Sequence, residues 1–340
     1  MKTLLTGAAG FLGQAVLARM LIRSPGEIRV LVRNADGARK VSTIIESLGK
    51  DNVEILVGDF SMPEMANRAL EGVERLVHVA AVGKGTSSHI FRNNVIGSRV
   101  ILESVLRSGI CRDILLVSSL GVYGLYGFQK NAKIEENTPL DPQPERRDLY
   151  TYSKVWQEEL FRSYQYKNDT MNFNLCIVRP GPIYGPGGTI LPARIGLNTP
   201  LFFINLGNVN LVPLTYVENC AEAIAYLAEK KLYGTETFNV IDSDLPTAKE
   251  YLRKYTRYNS NFRYVSIPYP ILLYLSKVIE SYSRRSEGQI PPVLTVYKTQ
   301  NMWKRVQYDN SKILREGWKP VISTEEALEK TFKAYRLQMV

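Results

Sequence analysis

Over the first half of the chain, short runs that are apolar throughout alternate with longer stretches whose apolar residues recur every three or four positions. Residues 3–6, 28–32, 53–57, 75–79, 114–117 and 173–178 are the strand-like runs, and 11–21, 89–107 and 149–164 have helical periodicity. A strand that is apolar at every position is buried on both faces, and strands separated by helices pair in parallel. The pattern therefore predicts an α/β fold, a doubly wound parallel sheet covered on both sides. After Arg179 the texture changes. Pro180 to Gly188 is a Pro/Gly loop, and sheet texture returns at 209–216 and 236–241. The remaining segments, notably 251–308, are aromatic, basic and less regular. The expected division puts 1–180 with 209–242 in the sheet domain, 181–208 with 243–316 in a smaller discontinuous lobe over a cleft, and 317–340 in a C-terminal helical segment.

A length of 340 residues suits two such units. Lys and Arg number 43 against 33 Asp and Glu, a net charge of +10, which favours an anionic partner. The basic residues are dispersed; Arg146 with Arg147 and Arg284 with Arg285 are isolated pairs, so no nucleic-acid partner is expected. Three scattered cysteines (Cys111, Cys176, Cys220) and two histidines (His78, His89) argue against a disulfide framework and against a metal site. That usage fits a reducing, cytoplasmic location. Gly7, Gly10 and Gly13 interrupt the apolar start of the chain, which is not read as a signal segment, and no apolar run reaches the roughly 18 residues that span a bilayer.

Gly7-Ala-Ala-Gly-Phe-Leu-Gly13 follows the first strand and opens the first helix. Gly7 permits a tight turn, Gly10 lets backbone approach a pyrophosphate, and Gly13 lets the helix pack on the strand. Phe11 and Leu12 carry free N–H groups at the helix start. This predicts dinucleotide binding by a Rossmann-type sheet. Where an NAD enzyme carries a carboxylate at the end of the second strand, this chain has Arg33, which suits a 2′-phosphate. NADP is the preferred cofactor, with NAD the alternative. Asp59 offers a carboxylate to the adenine amino group, beside Phe60.

Further elements follow in order: His78-Val-Ala-Ala81, Asn94-Val-Ile-Gly97, Ser118-Ser-Leu-Gly-Val-Tyr-Gly124, Tyr150-Thr-Tyr-Ser-Lys154, Arg179 through Tyr184-Gly-Pro186, Tyr216-Val-Glu-Asn219 and Tyr308-Asp-Asn-Ser-Lys312. The ordered series, spanning nearly the whole chain, resembles the extended short-chain dehydrogenase/reductase family, the NAD-dependent epimerase/dehydratase group. The resemblance implies that Ala80 and Asn94 line the cofactor channel; Asn94 could also satisfy backbone groups, and the two roles are not exclusive. It also implies a homodimer through helices 89–107 and 149–164.

The chemistry needs a proton shuttle. Tyrosine and lysine four apart lie on one helix face, and a cationic lysine lowers the phenol pKa. Three Y-x-x-x-K matches occur, at Tyr126/Lys130, Tyr150/Lys154 and Tyr308/Lys312. Only Tyr150 opens an amphipathic helix, and the family register selects it over Tyr152. The S-x-x-V-Y-G spacing selects Ser119 over Ser118. The expected catalytic set is Ser119, Tyr150 and Lys154, with His78 a packing residue.

Leu120-Gly121 stands where sugar-nucleotide dehydratases of this family carry an acidic pair, which disfavours dehydration. The apolar Asn210 to Asn219 segment is more similar to the 3β-hydroxysteroid dehydrogenase branch. The leading expectation is an NAD(P)-dependent oxidoreductase acting on an alcohol or ketone. A nucleotide-sugar epimerase and a redox-silent dinucleotide-sensing regulator are the alternatives. Tyr269 to Leu275 is an apolar wall or a weak membrane-surface patch, or a helix buried in the second lobe.

Overall fold

Leu4 and Leu5 are both fully buried yet belong to different cores, because successive side chains of a strand leave a sheet on opposite sides. The same split recurs along the centre of the molecule. The computed structural model describes residues 1–23, 26–167, 173–231, 233–286 and 294–338. Its main sheet has seven strands: β1 (Lys2–Thr6), β2 (Glu27–Val32), β3 (Val53–Val57), β4 (Arg75–His78), β5 (Asp113–Val117), β6 (Asn174–Pro180) and β7 (Thr235–Val240). They run parallel in the order β7-β6-β5-β4-β1-β2-β3.

On one face Leu5, Val77, Leu115 and Val178 pack against Val16, Leu17 and Met20 of helix α1 (Phe11–Arg23) and Ile224 of the Val217–Glu229 helix. On the other, Leu4, Leu76, Leu116 and Ile177 meet Leu70, Ile101, Val105 and Phe161 from three further helices. The fold is the doubly wound, Rossmann-type sheet that the apolar runs predict. Strand order reverses beside β1, where the chain leaves in opposite directions toward β2 and β4. That reversal opens a crevice at the carboxyl ends of the strands.

Two elements differ from their sequence pattern. Of the expected strand 209–216 only Thr215–Tyr216 pairs, with Ile183–Tyr184, and Leu211 forms a single bridge to Thr247. Pro213 has no N–H to give a ladder. The stretch 89–107 is not one regular helix. Ser87–Phe91 passes into a π turn at Arg92–Ile96 before Gly97–Ser108 resumes.

Beyond β6, a three-stranded sheet (Gly196–Asn198, Phe203–Asn205, Tyr264–Ser266) and the helices Ala248–Tyr258, Tyr269–Arg285 and Val296–Trp303 stand apart from the main sheet. The helix Thr324–Gln338 ends the described chain. All three cysteines are free and buried, and burial pushes the Cys111 and Cys176 thiols up to about 12. Among the described residues no helix is long and apolar enough to cross a membrane, and no group of side chains is placed to hold a metal ion.

Candidate active site

A cavity of about 810 Å³ lies over the crevice, floored by Gly7, Gly10, Phe11, Leu12 and Gly13. Gly7 adopts φ +77°, and a Cβ there would stand 2.7 Å from the Ala80 backbone. A Cβ on Gly13 would come within 1.9 Å of the Gly7 carbonyl oxygen, so only glycine lets α1 approach β1 this closely. Gly10 differs: its Cβ would meet only the Gly7 oxygen, at 3.3 Å, and would otherwise project into open space. The first turn of α1 has no acidic side chain. Its leading N–H groups have no intrahelical acceptor, which makes the loop a cradle for an anion.

The far end of the cavity is formed by Leu31 to Asn34, Gly37, Gly58 and Phe60. Arg33 is exposed there and its guanidinium donates to Asn93 Oδ1. Asn34 caps helix α2 (Ala35–Leu48) by accepting from the Gly37 N–H at 3.0 Å. Asp59 does not line this cavity; its carboxylate turns back to accept from the Ser61 N–H at 2.8 Å. Ala80 lines the opposite wall.

A second cavity, of about 290 Å³, adjoins the first and shares Leu12, Val79, Ala81 and Tyr150 with it. Ser119, Tyr150 and Lys154 come together in its wall. Ser119 follows β5, and its Oγ accepts from the Gly121 N–H at 3.0 Å. Ser118 is committed elsewhere, donating to buried Glu158 at 2.9 Å. Asp148 caps the Leu149–Lys167 helix through Thr151, which places Tyr150 in its first turn and Lys154 one turn on. The other tyrosines lie outside both cavities. Tyr126 stacks on Tyr297, Tyr152 packs near Phe91 and Trp156, and Tyr308 lies on a two-stranded pairing with Lys133–Ile134.

Lys154 is almost wholly buried. Its ammonium donates to the Val117 carbonyl at 2.7 Å and to Gln157 Oε1. Gln157 Nε2 donates to Ser98 Oγ at 2.7 Å, and Ser98 donates to the Asn94 carbonyl at 2.7 Å. Ser98 therefore accepts from His78 Nε2 at 3.1 Å, which leaves His78 Nδ1 to accept from Thr6 Oγ1 at 2.8 Å. The chain of bonds joins the residue before Gly7 to the site lysine. Burial pushes Lys154 down to about 7, opposed by Glu158. Burial also takes the His78 imidazole down to about 3, with the Lys154 charge adding.

Three expectations change, the first being the Asp59 carboxylate, expected at the adenine and turned instead to Ser61. Asn94 does not face the cavity. It is fully buried, accepts from the Val82 N–H at 2.7 Å and donates to the Val82 carbonyl at 2.9 Å and to Ser153. The π turn directs this amide at the backbone of the cavity wall. Nor does Lys154 lower the Tyr150 phenol as the four-residue spacing suggests. The ammonium is held by Val117 and Gln157, and burial, with Asp148 adding, pushes Tyr150 up to about 12.

Sequence reasoning passed over Lys84, Gly37 and Thr189 in the first cavity and Pro180 to Ile183 in the second. Gly37 had a legible signal, a glycine at a helix start just after Arg33. Gln157 and Glu158 had another, polar residues one turn beyond Lys154 on a buried face. Burial disfavours the Glu158 charge, but Arg179, Arg162 and Ser118 outweigh it and hold the carboxyl below its usual range.

Residues 4–245 match the model of the 3-beta hydroxysteroid dehydrogenase/isomerase family. Over 349 residues the chain is 25% identical to the Mus musculus sterol-4-alpha-carboxylate 3-dehydrogenase, decarboxylating, covering 98% of this chain and 91% of that protein. Among solved structures, dTDP-glucose 4,6-dehydratase from Streptomyces venezuelae with NAD bound is similar at a TM-score of 0.72 and 21% identity, over 99% of this chain and 97% of that one. UDP-glucose 4-epimerase from Thermus thermophilus in complex with NAD is similar at a TM-score of 0.68 and 21% identity, over 99% of both chains.

The depressed His78 pKa sets a stability window. Between its ordinary value of 6.5 and about 3 the unfolded chain binds the extra proton, so stability is lost as pH falls through that range. The loss is on the order of 1 kcal/mol per pH unit. His78→Gln should flatten the pH dependence of urea unfolding between these limits. Parallel curves for the two proteins would place the titration elsewhere.

Proposed function

The chain belongs to the 3-beta hydroxysteroid dehydrogenase/isomerase family, and from that premise we propose that it oxidises or reduces an apolar secondary alcohol or ketone with a nicotinamide dinucleotide. One observation carries this reading. Ser119, Tyr150 and Lys154 line a cavity whose remaining wall is apolar apart from Ser118, and among the described residues no carboxylate lines it. The sterol-4-alpha-carboxylate named for the mouse relative has an apolar ring body of that kind, with one carboxylate. A dehydratase needs an acidic group where this chain has buried Leu120 and half-buried Gly121.

Gly7, Gly10, Phe11, Leu12 and Gly13 would hold the pyrophosphate, and Ala80 and Phe60 would flank the dinucleotide. Arg33, with the start of α2 behind it, would take a 2′-phosphate, so the cofactor is NADP rather than NAD. When bound, the dinucleotide supplies or accepts the hydride. Ser119 holds the substrate oxygen by hydrogen bond, and Tyr150 gives it a proton in reduction or takes one in oxidation. An ammonium has three donors; two are used by Val117 and Gln157, which leaves one toward the cavity that Lys154 lines. Residues 1–180 with 209–242 form the dinucleotide-binding part, and 181–208 with 243–316 the substrate part. Exposed Ile96 and Trp156, on the two helices that would pair, support a homodimer.

Three substitutions test the assignment. Gly10→Val fills the open space before the loop, so calorimetry should show NADPH binding lost while circular dichroism is unchanged. Arg33→Asp should weaken NADPH by about 10- to 100-fold, from a charge-assisted bond worth roughly 1.5–3 kcal/mol, and leave NADH little affected. Wild-type preference for NADH would overturn the choice of NADP. Tyr150→Phe should lower turnover about 10²- to 10⁴-fold, with Tyr126→Phe, Tyr152→Phe and Tyr308→Phe near wild type. Net change in NADPH absorbance with substrate separates an oxidoreductase from an epimerase, which shows none. Tight binding without turnover of any kind would instead support a regulator.

A further inference from the structure

The Tyr269–Arg285 helix is turned the wrong way round for a helix of a water-soluble surface. Toward the protein it presents Leu272 and Ile279, but also Ser276, Ser283 and Glu280. Ser276 bonds the Leu272 carbonyl and Thr299, and Glu280 takes the Val296 N–H and Arg284. Away from the protein it presents Ile271, Tyr274, Leu275, Val278 and Tyr282, a spacing of three and four that forms one continuous stripe. Tyr274 and Tyr282 are 66% and 61% exposed, and Ile271 52%. The adjoining sheet adds exposed Val265 and, just before its partner strand, Leu201 and Phe202. Burial in the second lobe, the alternative the sequence left open, does not describe this face.

Charge says what covers it. Lys277, Arg284 and Arg285 border the stripe and are exposed; Arg284 is ion-paired with Glu280 at 2.9 Å, so Lys277 and Arg285 carry the basic edge. The one carboxylate of the helix, Glu280, is turned inward and 15% exposed. Among the described residues the outer face of this helix is therefore apolar with basic edges and no acidic group. A second copy docked by the same face would bring these cations to a surface with no carboxylate to meet them. We propose that this helix lies in the plane of an anionic phospholipid bilayer, its stripe in the acyl boundary, its tyrosines at the headgroup level and Lys277 and Arg285 on the lipid phosphates. The net charge of +10 acts in the same direction. The proposal is independent of the reaction assigned to the cleft.

Co-sedimentation of the full chain with vesicles of phosphatidylcholine alone, or mixed with phosphatidylglycerol, is the test. Binding should require phosphatidylglycerol and weaken with salt. Tyr274→Ser with Val278→Ser should reduce it on the order of tenfold or more, and Lys277→Gln with Arg285→Gln by roughly fivefold per charge. Lys277 and Arg285 are exposed, so that variant keeps the test open if the first fails to fold. Absence of binding, or equal binding to neutral vesicles, would overturn the proposal. So would a dimer in sedimentation equilibrium that the Tyr274→Ser, Val278→Ser pair dissolves, since the face would then belong to a second copy.

Discussion

An ammonium group can be kept inside a protein only if its donors are met, and much of the interior of this molecule is arranged around meeting those of Lys154. The Val117 carbonyl at the end of β5 and the Gln157 amide one turn along the helix hold it directly. Gln157 is fixed in turn by Ser98, and Ser98 by His78 and the Asn94 carbonyl. Gln157 and His78 each donate to Ser98, Ser98 donates to the Asn94 carbonyl and Thr6 donates to His78, so the amide and imidazole orientations are all determined together. A side chain removed from the series would leave a buried polar atom unpaired, at a cost of about 1–3 kcal/mol.

The same series explains why distant parts of the chain must be in register. Thr6, which closes on His78, is the residue before Gly7, and its Oγ1 also lies 3.4 Å from the Ala80 N–H. The anion cradle and the wall opposite it are thus tied to the lysine by side chains rather than by backbone alone. Asn94 extends the tie by clamping Val82 on both its N–H and its carbonyl. On the far side of the helix, Glu158 fastens Ser118 to Arg179, whose guanidinium lies 4.6 Å from the Tyr123 ring. With Ser118 so occupied, Ser119 is the hydroxyl available to the cavity.

What was legible in the sequence was what repeats with a period or sits at a fixed point in an element. Leu4, Leu5 and their counterparts in each strand betray a sheet buried on both faces. Gly7 and Gly13 are required by contacts shorter than any Cβ allows, and their spacing is visible in the chain. Pattern was weaker where tertiary partners decide. Val209 to Tyr216 has strand composition, but Pro213 leaves only its last two residues paired. The π turn at Arg92–Ile96 has no periodic signature, and it is what turns Asn94 from the cavity to Val82. The Tyr150–Lys154 spacing puts both side chains on one helix face but says nothing of where the ammonium points. Gln157 decides that. Nor could periodicity say which face of Tyr269–Arg285 would be covered, because both faces carry apolar residues.

The protonation of Lys154 is the quantity on which the account turns, and ¹³C NMR of lysine-labelled protein measures it, with the resonance assigned by its absence in Lys154→Met. Burial of the amine, opposed by the Glu158 charge, predicts a titration near 7. A Lys154 resonance titrating near the ordinary 10.5 would contradict that and show that burial does not govern the amine in solution.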